Sequence, residues 1–275
     1  MRRHELSDAE WEFVWPLLPK SLRGRKRLDD RRVLNGIVWK FRTGTAWRDV
    51  PDRYGPWATL YTRFRRWAAD GTFDRMLRAA QAKADTAGDI EWLASVDSTV
   101  VRAHQHAAGA RKGLRDPALG RSRGGLTSKI HLACDGRGRP LAFVITGGNT
   151  NDCTRFTTVM DAIRVPRIGP GRPRTRPDHV LGDKGYSSKA IRAWLRRRGI
   201  PHTIPERADQ VSNRARRGRR GGRPPTFDRE VYKHRNVVER CFNRLKQWRG
   251  IATRYDKTAQ SYEAAVTLAS LLMWA

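Results

Sequence analysis

Apolar residues recur at helical spacing through the first third of the chain. In residues 5–18, ELSDAEWEFVWPLL, Trp11, Val14, Trp15 and Leu18 share a face, and Ser7 and Glu10 are spaced as a capping box. A basic turn over 20–27 leads to a second helix, Asp30–Thr43, with Val33, Ile37, Val38 and Phe41 inward and Gly44 as its stop. Residues 47–50 suit a short helix and DRYGP a turn. A third long helix over 59–69 turns Leu60, Phe64 and Trp67 inward, and a fourth over 72–86 ends at Gly88.

The pattern then changes. Residues 92–103, WLASVDSTVVRA, are rich in β-branched side chains and read as a buried strand with Asp97 inside it. A carboxylate there is costly unless it is paired or coordinated. A long basic loop over 104–125 follows, then a hairpin of 128–134 and 140–146 around DGRGR. Asp152 is placed to cap a helix over 153–163, and residues 168–177 read as a flexible Pro/Gly/Arg-rich loop. A short strand over 179–182 ends at Asp183. Ser187 is set to cap a helix over 188–198, and another short strand covers 201–204.

Residues 207–225 are so basic and Gly-rich that they predict disorder until a phosphate backbone is bound. Residues 232–248, YKHRNVVERCFNRLKQW, predict one helix, and 261–274 a final apolar one. At about 100° per residue, Val237, Val238, Cys241, Phe242, Leu245 and Trp248 form a core face of 232–248. Tyr232, Arg235, Asn236, Glu239, Asn243 and Lys246 share another arc. Glu239 is the one carboxylate of that arc, two turns from Lys246. No internal repeat is present.

Charge narrows the function. Of 275 residues, 56 are Lys or Arg against 27 Asp or Glu, a net charge of +29. Such a field fits a polyanion partner, nucleic acid first and a membrane surface second. No apolar run reaches the roughly 20 residues of a membrane span, and MRRHELSDAEW has no signal-peptide core. Cys134, Cys153 and Cys241 are far apart with no CxxC, so neither a disulfide framework nor a zinc knuckle is expected, and the setting is a reducing cytoplasm. On this charge background the short helix over 47–50, the DRYGP turn and the helix over 59–69 read as a helix-turn-helix module, with Arg63, Arg65 and Arg66 facing DNA. An ordinary helical bundle with arginines on its wet face is the alternative.

Alone, Glu239 is a surface acid paired with Arg235. The series Tyr232, Arg235, Glu239, Lys246, in the spacing Tyr-x2-Arg-x3-Glu-x6-Lys, resembles the signature around the catalytic Glu of DDE transposases of bacterial insertion sequences. It is most similar to the insertion-sequence-four and -five groups. DSTVVRAHQHAAGARKG around Asp97 and GDKGY around Asp183 look like insertion-sequence-five sequences, as does the N-terminal helical region. The order strand, hairpin, helix, strand, helix, strand, helix is that of the ribonuclease-H-like fold. The expected architecture is an all-α helix-turn-helix domain (1–88) before an α/β catalytic domain (89–275) with a mixed sheet flanked by helices.

The resemblance implies a transposase that binds the terminal inverted repeats of an insertion sequence, cuts them to free a 3′-OH, and joins that end to target DNA. It implies Asp97, Asp183 and Glu239 as catalytic carboxylates holding two Mg²⁺ ions (Mn²⁺ as substitute), with Asp97 shared. It further implies Arg235 and Lys246 on DNA phosphates beside Tyr232, and a homodimer or larger synaptic complex on the nucleoid, with no membrane. Other acids have plainer readings: Asp135 as a hairpin turn, Asp116 and Asp178 as turn formers. A His/Tyr single-strand mechanism would use His104 and His106 with Tyr186 or Tyr232. A ribonuclease-H-like nuclease without strand transfer and a catalytically dead DNA-binding regulator complete the alternatives.

Overall fold

The computed structural model describes residues 3–19, 28–108 and 118–275. The basic turn expected over 20–27, the middle of the loop expected over 104–125, and Asp116 lie outside the described residues.

Four helices come first: α1 (Asp8–Val14), α2 (Asp30–Thr43), α3 (Trp57–Ala69) and α4 (Thr72–Thr86). The Ser7–Glu10 capping box forms in both directions. α2 buries Val33, Leu34, Ile37, Val38 and Phe41, and it stops where Gly44 enters the left-handed region at φ 75°. Two short 3₁₀ turns, Trp47–Asp49 and Asp52–Tyr54, join α2 to α3.

The remainder carries β1 (Leu93–Ala103), α5 (Gln105–Ala108), β2 (Gly120–Ser122), β3 (Gly125–Cys134), β4 (Pro140–Gly147), α6 (Phe156–Ala162), β5 (His179–Gly182), α7 (Lys189–Arg197), β6 (His202–Thr203), α8 (Ala208–Arg216), α9 (Arg229–Lys233), α10 (Asn236–Lys246), α11 (Arg249–Ala252), β7 (Thr253–Arg254) and α12 (Ala259–Leu272). The strands form one mixed sheet in the order β2-β3-β1-β5-β6, with β4 also on β3 and β7 also on β1. β3 runs antiparallel to β1 and β4, while β5 runs parallel to β1 and β6. Helices flank the sheet, and the architecture is the ribonuclease-H-like one with a helical region before it.

A helix apolar on all sides belongs in an interior. α12 is such a helix, burying Tyr262, Val266, Leu268 and Leu271 among others, and it packs on α4, α3, β4 and α10. α11 packs on α2. The helical region and the sheet therefore share one continuous hydrophobic core. Among the described residues no helix is long and apolar enough to cross a membrane.

Several local expectations are corrected. The single helix over 232–248 is two, because the backbone tightens to i→i+3 bonds at His234 and Arg235 (His234 N–H to Val231 O, Arg235 N–H to Tyr232 O). Trp248 falls beyond α10, as the N-cap of α11. The disorder expected in 207–225 is instead α8 and a 3₁₀ turn, Gly218–Gly221. Its anchor is Gln210, whose amide donates to Ser187 O and whose Oε1 accepts from the Ser187 hydroxyl. Arg214 pairs with Glu206 beside it. Asn151 rather than Asp152 caps the first turn after β4, and Ser188 rather than Ser187 caps α7. Residues 168–177 include one strand-like bridge, Val165 to Arg174.

Candidate active site

β1 and β5 are parallel neighbours with Val96 opposite Gly182. Asp97 and Asp183 follow these two residues, so the acids stand at the next step on adjacent strands. Residues paired across strands share a face. Asp97 is opposite Leu132 and Ser95 opposite Cys134, and the Cys134 thiol meets Cys241 of α10. Asp97 therefore lies on the α10 face of the sheet, where Glu239 also sits. All three cysteines are free thiols.

Asp97 is largely buried, with its side chain 16% exposed. Its Oδ1 accepts from Ser98 N–H at 2.8 Å and its Oδ2 from Arg235 Nη2 at 2.6 Å. Burial pushes its pKa up to about 6. Ser98 and Arg235 oppose that rise, and the charges of Asp183 and Glu239 add to it. Arg235 Nη2 also donates to Glu239 Oε1 at 3.2 Å, so one guanidinium spans two of the three acids. Asp183 folds back on its own turn, accepting from Gly185 N–H at 2.8 Å. A Cβ on Gly185 would sit 2.8 Å from Asp183 Oδ1, closer than such atoms approach.

The tight turn before α10 sets Tyr232 half-buried against Phe227, with ring centroids 5.1 Å apart. Burial raises the Tyr232 hydroxyl pKa. Arg235 works against that rise, and Asp183 and Asp97 favour it. Lys246 Nζ donates to Val100 O of β1 at 3.3 Å, and burial lowers its pKa against the pull of Glu239. Among the described residues no group of three or more His, Cys, Asp or Glu side chains is drawn together tightly enough to hold a metal ion. Arg235 occupies the position between Asp97 and Glu239.

Of the three arginines expected to face DNA, Arg65 and Arg66 are exposed on α3. Arg63 is not: it is 8% exposed, bonds Asp30 at 2.6 Å and lies over the Trp67 ring. The spacing 60, 63, 64, 67 carries that signal, because it is the inward stripe of a helix. Tyr186 is buried, with no hydrogen-bond partner for its hydroxyl among the described residues, so it is not presented as a nucleophile. His104 and His106 meet edge to face and His104 lies against Tyr255, and among the described residues no metal-holding group of acids, histidines or cysteines includes them.

The sequence reading missed a second charge cluster. On the other face of β1, Asp152 Oδ1 accepts from the Ser98 hydroxyl at 2.7 Å and from Lys129 Nζ at 3.0 Å, with His131 Nδ1 3.6 Å away. The alternation of Asp97 with Ser98, and of Lys129 with Ile130, is the signal that could have found it. Asp135 is a turn residue as expected. It is also fully buried, held by Arg139 and by the Arg137 and Arg139 N–H groups.

Comparison with known proteins shows the family. Residues 90–274 match the family model for the transposase DDE domain, and residues 6–77 match a model described as transposase of the IS4/5 family. A Burkholderia cepacia protein named as the transposase of insertion sequence element IS402 is 33% identical over 146 residues, 53% of this chain and 62% of that protein. A Brucella ovis protein named for insertion sequence element IS6501 is 30% identical over 149 residues, 54% of this chain and 98% of that one. Among solved structures, the "Mos1 transposase paired-end complex with left transposon end" is matched over 82% of this chain and 80% of that one. At 10% identity and a TM-score of 0.27, that likeness is too loose for inference. The chain belongs to the DDE transposases of bacterial insertion sequences.

Proposed function

We propose that this protein binds the terminal inverted repeats of its element and a target duplex, and that it cuts and joins DNA strands with divalent metal at Asp97, Asp183 and Glu239. The observation that carries this reading is the register of β1 on β5, which sets Asp97 beside Asp183, together with the Arg235 bridge from Asp97 to Glu239.

The donor set suits a hard cation. It offers carboxylate oxygens only, and Asp97 is desolvated near two other negative charges. Mg²⁺ or Mn²⁺ would be held by Asp97 in common, with Asp183 and Glu239 each completing one position. When bound, the ions neutralise charge at phosphorus and acidify the attacking water. Arg235 must leave the two carboxylates for them to serve that role. Its guanidinium is then available to a DNA phosphate, as is the Lys246 ammonium.

In the first step a water oxygen bonds to phosphorus as the bond to the 3′ oxygen breaks, leaving a 3′-OH. In the second step that hydroxyl attacks a target phosphodiester, so one P–O bond forms as another breaks and no energy source is consumed. Two ends must meet, which calls for a dimer or larger complex. Residues 1–88 serve as the end-reading region, with Tyr61, Arg65 and Arg66 exposed on α3, and residues 89–275 as the catalytic one. The working place is the bacterial cytoplasm, on the nucleoid.

The test is an end-labelled duplex carrying the flanking element end, incubated with Mg²⁺ and either wild type or Asp97→Asn. Metal-dependent release of a 3′-OH followed by joining, both lost in the variant, is expected. Cutting without joining would leave a nuclease, and binding without cutting a regulator. A covalent adduct persisting in the variant would point to a tyrosine nucleophile.

A further inference from the structure

We infer that the groove between α7 and α8 is a second DNA site, one that holds the phosphate backbone without reading sequence and so suits target DNA. The inference rests on the transposase reading. From residue 188 to 225 the chain has 12 Lys or Arg against two acids, Glu206 and Asp209. The fold lines one groove of about 480 Å³ with Lys189, Arg192, Arg196, Arg214, Arg217 and Arg223. Its one acid, Glu206, is spent on Arg214.

Arg192 makes this a built site. It is 9% exposed, and its Nη2 is fixed by the Ser187 hydroxyl at 3.1 Å and Ile204 O at 2.8 Å. Its Nη1 is buried and has no hydrogen-bond partner among the described residues. A buried guanidinium N–H left unpaired is costly, and a phosphate oxygen satisfies it. No aromatic side chain lines the groove. Bases therefore have nothing to stack on, and contact falls to phosphates, which carry no sequence information. The floor is held in place by Gln210 on Ser187, four residues past Asp183 in sequence, so the groove begins close along the chain to the proposed chemistry.

The experiment is the salt dependence of duplex binding by the full chain, on DNA of unrelated sequence and on DNA bearing the element end. The variant is Arg196→Ala with Arg217→Ala and Arg223→Ala. These side chains are exposed and make no hydrogen bond or ion pair among the described residues, so the melting temperature should not move. Each lost phosphate contact lowers the slope of log K on log salt by about one, so a fall of about three is expected on both DNAs. The preference for the element end should be unchanged. The control is Arg78→Ala with Arg164→Ala and Arg167→Ala, which removes the same charge elsewhere. An unchanged slope, or an equal fall in the control, overturns the groove while leaving the transposase reading intact. Failure of wild type to bind either duplex overturns both.

Discussion

Asp97 and Ser98 are neighbours on β1, yet their side chains leave the strand on opposite faces and meet opposite surroundings. On the Ser98 face, Asp152 is answered by groups fixed to the sheet, the Ser98 hydroxyl and the Lys129 ammonium. On the Asp97 face, two of the three acids, Asp97 and Glu239, share one long side-chain cation, Arg235. Charge satisfied by rigid neighbours stabilises a fold. Charge held in check by a side chain that can swing away is available to a ligand. The contrast separates the structural acid from the three that carry the proposed chemistry.

The sharpest way to break that contrast is to neutralise one acid on each face. Asp97→Asn is expected to lower strand cleavage by about 10³ or more. It should leave the protein no less stable at pH 7. The sign follows from burial: a carboxyl whose pKa is raised to about 6 when folded binds its proton more tightly than in the unfolded chain, so its ionised form costs the fold above that pH. Matched cleavage and melting curves check both statements. Loss of stability with intact cleavage would reverse the assignment of the faces.

Gly185→Ala tests the same face through geometry. The added methyl would displace the Asp183 carboxylate, and a shift of about 1 Å costs about 10² in rate. Single-turnover cleavage measures it, with DNA affinity as the unaffected reference.

On the structural face the effects appear in stability. Burial holds the His131 pKa down to about 4, against about 6.5 when unfolded. The unfolded chain therefore takes up the proton first. The stability present above about pH 6.5 is lost as pH falls toward 4, by at most about 3 kcal/mol. Urea midpoints at pH 7 and 4.5 read this out, and His131→Gln should flatten the difference. The smallest effect belongs to Asp152→Ala. Because that carboxylate is 39% exposed, solvent screens the loss and the cost is about 1 kcal/mol. Thermal melting checks it.

How much of this was legible depended on the range of the interaction. The bounds of α2 and α4, the strand around Asp97 and the inward face of α10 follow from local spacing, and they stand where the pattern put them. The break at His234 was not readable, because residues 232–248 contain no Gly or Pro. The tight winding there goes with the contact of Arg235 on Asp97, 138 residues away. α8 was hidden for the same reason. Its composition predicts a solvated coil, and its anchor is the Gln210–Ser187 pair, 23 residues apart. The caps were misplaced by one residue because Asn151 and Asp152, or Ser187 and Ser188, are equally able to cap. Arg63 was legible and was misread: its position within the inward stripe outweighed its charge.

The place of α12 in the shared core bears on the order in which the molecule is made. α4 and α3 complete their packing against a helix that leaves the ribosome after them by more than 170 residues. Until then the parts of their apolar faces that α12 covers lack that partner, although α2, α3 and α4 already pack on one another, and contacts closed over such long chain separations form slowly. A translation product interrupted before residue 259 would leave those surfaces uncovered and open to proteases, so the helical region is not expected to persist as a free fragment.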